Sequence, residues 1–164
     1  MYITEFLKKY MKISKKFEPL IAGAAASIII GLLSFLSFET STGFWLMFSF
    51  GSTTLIVLLF HESEFAQPKN IFFGHLLGII IGILFNELIG ISFISLGLAV
   101  GTTVTLMIYF RLIHPPAAAN PLIALFADVS YNYIFFPVIA GSVVIIILSI
   151  IINKIILKRI YPKK

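Results

Sequence analysis

The stretch Arg111-Leu-Ile-His-Pro-Pro-Ala-Ala-Ala-Asn-Pro121 gathers the groups in this sequence best suited to chemistry. Pro115 and Pro116 remove two backbone donors and disfavour helix at His114, so the chain must break there. His114 offers a group that titrates near neutral pH. Asn120 offers a donor and an acceptor, and Arg111 is the nearest cation in sequence. At membrane depth such a break exposes carbonyls and N–H groups to a solute. At the interface the same residues would form a helix-ending turn with a solvated histidine.

A second constellation is His61-Glu-Ser-Glu-Phe-Ala-Gln-Pro-Lys-Asn70, followed by His75. Gln67, Asn70, His75, His114 and Asn120 could converge on one polar pocket. Half-helix N-termini there, with Lys69 and Arg111 nearby, would suit an anion. His61, Glu62 and Glu64 read instead as a solvated loop. His75 lies one turn inside an apolar helix, where a polar side chain needs a reason. His61, Glu64, His75 and His114 are metal-ligand types, but their spacing fits no standard motif, so no metal is expected. Glu87 and Asp128 fall near the ends of apolar runs and are expected among headgroups. Ser52, Thr53, Thr54, Thr102, Thr103 and Thr105 could line a pathway or bond their own helix carbonyls. There is no cysteine, which removes disulfides and thiolate chemistry. No nucleophile–base pair and no phosphate loop stands out. The expectation is a non-enzyme without a cofactor.

These residues must be positioned by very apolar elements. Hydrophobic residues make up 59% of the 164 and charged residues 12%, where soluble domains carry roughly 25% charged. A fold this small cannot hide so many Ile, Leu and Phe side chains from water, so lipid must surround them. Five segments are long enough to cross about 30 Å of hydrocarbon: Leu20–Phe38, Phe44–Phe60, Ile71–Ile91, Phe93–Ile113 and Tyr133–Asn153. Formal charge nearly vanishes along them. Glu39 stands alone between 20 and 60, Glu87 between 71 and 110, and Asp128 between 112 and 153. The first run is too long for a signal-peptide core and is read as a retained helix. Gly74, Gly78 and Gly82 recur at every fourth position and mark a close-packing helix face.

Gly51-Ser-Thr-Thr-Leu-Ile-Val-Leu-Leu-Phe60 lines up with Gly101-Thr-Thr-Val-Thr-Leu-Met-Ile-Tyr-Phe110, and Asn70 with Asn120. Tandem two-helix repeats of like orientation follow from that match. Basic residues cluster at both ends: Lys8, Lys9, Lys12, Lys15 and Lys16, then Lys154, Lys158, Arg159, Lys163 and Lys164. They place both termini in the cytoplasm, with attraction to anionic lipid. The apolar middle argues against nucleic acid as a partner. Two cytoplasmic termini require an even number of crossings, so the short apolar piece within 116–129 is expected to cross as a broken segment; the alternative is a C-terminus on the outside.

Three stretches in order resemble the HPP family of membrane proteins, named after its His-Pro-Pro motif. They are the glycine helix Gly51-Ser52 through Leu59-Phe60, then Ala66-Gln67-Pro68-Lys69-Asn70 with Gly74-His75, then His114-Pro115-Pro116 with Ala117-Ala118-Ala119-Asn120. The resemblance covers roughly residues 17 to 155 and departs from the family pattern at Asn120-Pro121. It implies transport and, through plant and cyanobacterial relatives linked to nitrite, a small inorganic anion. The resulting reading is an all-α polytopic transmembrane helix bundle of five spans plus the short broken segment. It divides into a basic cytoplasmic segment (1–18), an HPP-type transmembrane domain (19–155) and a basic tail (156–164). It sits multi-pass in the cell membrane. Its partners are the lipid bilayer, a small solute or anion met by His114, Pro115, Pro116, Asn120, Gln67, Asn70, His75 and Arg111, and a second copy of itself. The competing expectation is a sensor or assembly subunit in which the motif fixes helix packing.

Overall fold

The computed structural model describes residues 17–41 and 43–163. The five N-terminal lysines of the anchoring argument, Lys164, and most of the 1–18 segment lie outside the described residues. Those that are described form helices and connecting turns, with no strand among them.

Helix α1 is Glu18–Phe38, with proline in its first turn and Glu18 facing the positive end of the helix dipole. Its 21 residues reach about 30 Å. The chain then returns without helix: the Ser37 hydroxyl accepts the N–H groups of Trp45 (2.9 Å) and Leu46 (3.0 Å). Helix α2 is therefore only Ser49–Leu59. A short 3-10 turn, Glu64–Ala66, leads to α3, Pro68–Leu88. Helix α4, Phe93–Tyr109, opens on a reciprocal Ser92–Ser95 capping box. It closes with the Leu112 N–H donating to the Met107 carbonyl (2.8 Å) and Arg111 at φ +54°. That is the geometry usually given to glycine at a helix C-terminus.

After the break comes a 3-10 stretch, Pro115–Ala119, and then α5, Asn120–Phe126. The last helix, α6, is Ile134–Ile156. Its regular centre is Ala140–Ile151, and extended backbone at Phe136 interrupts its start.

Among the described residues, three helices have the length and apolar composition to cross a membrane: α1, α3 and α6. Helices α2 and α4, at 11 and 17 residues, are shorter than their apolar sequence suggested. The cause is local in each case. Ser37 draws the amides of residues 45 and 46 out of any helical ladder, and the Arg111 turn stops α4 before Ile113.

Side-chain contacts set the order of the elements. The stretch 113–131 climbs beside α3 from end to end in the same direction. Asn70 donates to the Ile113 carbonyl (3.1 Å), and Asn86 to the Asp128 carboxylate (2.6 Å). The Tyr131 hydroxyl donates to Glu87 (2.5 Å). Between these rungs the three glycines of α3 face the break. A β-carbon added at Gly74 would lie 2.9 Å from His114, at Gly78 2.5 Å from the Ala117 carbonyl, and at Gly82 2.6 Å from Ala124. Helix α6 runs alongside α2 in the same direction: Gly141 abuts Phe50, and Asn153 donates to the Val57 carbonyl (3.1 Å).

One end of the bundle is clasped by the chain's last residues. Arg159 pairs with Glu18 (3.0 Å) and donates to the Leu58 carbonyl (2.6 Å). The buried Tyr161 hydroxyl donates to the Ala66 carbonyl (2.6 Å), and the Lys163 N–H to Gln67 (2.8 Å). The beginning of α1 and the end of α6 therefore share one face. Large apolar side chains point outward, Leu20, Phe48, Leu88 and Phe93 among them. A surface of that extent belongs in lipid.

Candidate functional site

Five polar side chains meet in the interior. Ser49 and Thr53 stand one turn apart on α2, His75 comes from α3, and His114 and Asn120 flank the His-Pro-Pro break. Each is buried, and all but Ser49 completely. Sequence dictates this meeting. The two prolines hold His114 in extended backbone (φ −138°, ψ 96°), which turns it inward. Glycines at 74 and 78 let the broken chain press against α3 at the level of His75. The two imidazoles lie edge to face at 4.9 Å, and Phe50 packs on His75 at 5.1 Å.

Counting donors and acceptors fixes the protons. His114 Nδ1 lies 2.6 Å from the Phe65 carbonyl, which can only accept, so Nδ1 carries hydrogen and donates. In the neutral ring Nε2 is then an acceptor, and it lies 3.0 Å from the Thr53 hydroxyl. Asn120 Nδ2 lies 3.1 Å from His75 Nδ1 and 2.9 Å from the His75 carbonyl, and it donates to both. His75 must therefore carry its hydrogen on Nε2, 2.8 Å from Thr53 Oγ1. The Ser49 hydroxyl completes the set by donating to Asn120 Oδ1 (2.9 Å). The result is a one-way chain: Ser49 to Asn120, to His75, to Thr53, to His114, to the Phe65 carbonyl. The rings hold opposite tautomers, inferred from this network. With both neutral, the cluster has no formal charge.

A recess of about 920 Å³ opens beside the chain's first member. Ser49 and Ser52 line one wall; Pro115, Pro116, Ala119 and Phe126 line the other. It shares Ala127 with a second recess of about 710 Å³, bounded by Ser130, Asn132 and Tyr133. The walls are mostly apolar, and Ser49 is where the first recess touches the cluster.

Of the residues singled out in sequence, His75, His114 and Asn120 come together. Pro116 is buried behind them and Pro115 faces the recess. Asn70 stays one turn below, tied to the Ile113 carbonyl. Gln67 is drawn into the turn, donating to the carbonyls of His61 (3.1 Å) and Ser63 (2.7 Å). Arg111 and Lys69 are exposed, as are Glu87 and Asp128. Sequence reasoning had Thr53 only within a group of hydroxyls and missed Ser49. Their four-residue spacing on one apolar helix was the available signal. In the turn that follows α2, burial pushes the His61 ring below the usual imidazole value of 6.5, with Arg159 adding to the effect. Burial pushes the Tyr161 phenol up.

Residues 9–162 match the family model described as HPP, transmembrane region. Two Dictyostelium discoideum proteins, each named only as a transmembrane protein, are similar in sequence. One is 24% identical over 99% of this chain, the other 26% identical over 82%. The chain spans 64% and 46% of the lengths of these relatives. No solved structure matches it.

Proposed function

Because the chain belongs to the HPP family of transmembrane proteins, we propose that it carries a small solute, nitrite or a similar small anion, across the cell membrane past the His114 break. The observation that carries this reading is the recess that ends on Ser49, at the mouth of a buried polar chain. Hydroxyl, amide and imidazole groups at membrane depth are costly, and in membrane proteins they commonly mark a solute or ion route. In this reading α1 to α4, the stretch 113–131 and α6 make six passes, and both ends lie in the cytoplasm. The α2–α3 pair and α4 with the broken stretch are the tandem repeats. A second copy of the chain encloses the open side of the route, with lipid around the rest.

The test is flux into proteoliposomes from a panel of nitrite, nitrate, formate and bicarbonate. Uptake above that of empty vesicles is expected for at least one. His114→Ala and Asn120→Ala are expected to lower it at least tenfold, and flux that survives both unchanged rejects the site. One observation favours a second reading, in which the motif locks helix packing. Each of the five side chains already has a protein partner. No flux for any solute, together with loss of folding in His114→Ala, would favour that lock.

A further inference from the structure

We propose that His114 is a proton-binding site within the membrane and that the Thr53 hydroxyl is the rotor that makes it one. Coupling of that proton to an anion rests on the transport reading above; the proton site itself does not.

A spare acceptor lies beside the His114 ring. Thr53 Oγ1 lies 3.0 Å from His114 Nε2 and also 3.1 Å from the Ser49 carbonyl, yet it has only one hydrogen to give. With His114 neutral, the hydroxyl points at Nε2. When a hydronium ion delivers a proton to Nε2, an N–H bond forms there and water is left behind. The Thr53 O–H does not break. It turns to the Ser49 carbonyl, and its oxygen then accepts from both rings. Nothing else in the cluster has to move.

His75 is built differently. Its Nδ1 faces the Asn120 amide NH2, a donor, at 3.1 Å. A proton there would force that amide over. The flip would give up the 2.9 Å bond to the His75 carbonyl and the acceptor now serving Ser49. The extra proton therefore belongs on His114. The groups facing that ring are Thr53 from α2, His75 from α3 and the Phe65 carbonyl from the 3-10 turn. Among them only His75 can titrate, and none carries a formal charge beforehand. Uptake of one proton would thus give this uncharged pocket the single positive charge that an anion arriving by the Ser49 recess requires.

The readout is ¹⁵N NMR of imidazole-labelled protein in lipid nanodiscs, in a His61→Gln background that leaves two histidines. At neutral pH one ring is expected protonated on Nε2 (His75) and the other on Nδ1 (His114). On acidification His114 becomes doubly protonated first. Thr53→Val removes the rotor and is expected to move that charging at least one pH unit lower, while Thr53→Ser leaves it in place. Identical tautomers, His75 charging first, or an unmoved midpoint in a folded Thr53→Val protein overturns the proposal. Vesicles carrying an internal pH dye and given external nitrite test the coupling separately, with one proton entering per anion beyond the leak of empty vesicles. The expected NMR result without flux would remove the transport reading and leave the proton site. Flux with the wrong tautomers would do the reverse.

Discussion

Arg111 shows how residue type and conformation can disagree. It sits at φ +54° at the end of α4, where a side chain costs roughly 1 kcal/mol. Its guanidinium is exposed, away from the buried cluster. Arg111→Gly is therefore expected to raise stability in detergent by about 1 kcal/mol, seen as a higher melting temperature. If flux falls in the same variant, the cation serves the solute despite its distance from the cluster. A second expectation concerns pH. Burial and Arg159 hold His61 below 6.5 in the folded protein, so the unfolded chain binds the more protons. Stability should then be full above 6.5 and fall as pH drops through that value toward the lower folded one. His61→Gln should flatten this slope in pH-dependent melting curves. From sequence, His114 and Asn120 were legible as chemistry because prolines and apolar context made them anomalous. Ser49 was not, because a serine in a membrane helix ordinarily bonds its own backbone.

At the level of elements, the glycine face of α3 decides whether the break can pack. Gly78 has no room: an added β-carbon would meet the Ala117 carbonyl at 2.5 Å and Asn120 at 3.1 Å. Gly23 on α1 has nothing within 4 Å. Gly78→Ala is expected to cost about 1–3 kcal/mol by overpacking and to disturb the histidine rings. Gly23→Ala should be neutral or slightly stabilising. Paired melting curves, with the ¹⁵N spectra of both variants, check this. Apolar runs with breakers between them announced the helices, so their existence was readable. Their lengths were not. The amides of residues 45 and 46 are taken by Ser37, a contact between segments that no local window of α2 contains.

For the whole molecule, basic ends on one side demand an even count of crossings. The contacts bring the start of α1 and the end of α6 to one face through Glu18 and Arg159. They also lay the broken stretch along the full length of α3. The absence of cysteine makes the topology easy to test by single-cysteine labelling. Cysteines at positions 17, 62 and 163 are expected to react with an impermeant maleimide from one side of sealed vesicles, and those at 41, 91 and 131 from the other. Any position reacting from the wrong side would remove the six-pass arrangement.

The clasp formed by Arg159 and Tyr161 also has a meaning in time. A ribosome releases Leu58 long before the arginine that will satisfy its carbonyl, which lies 101 residues further along the chain. During synthesis the Leu58 carbonyl at the lower tip of α2 and the Ala66 carbonyl in the turn beside it are made long before Arg159 and Tyr161, so this end of the bundle can close only after α6 has been made.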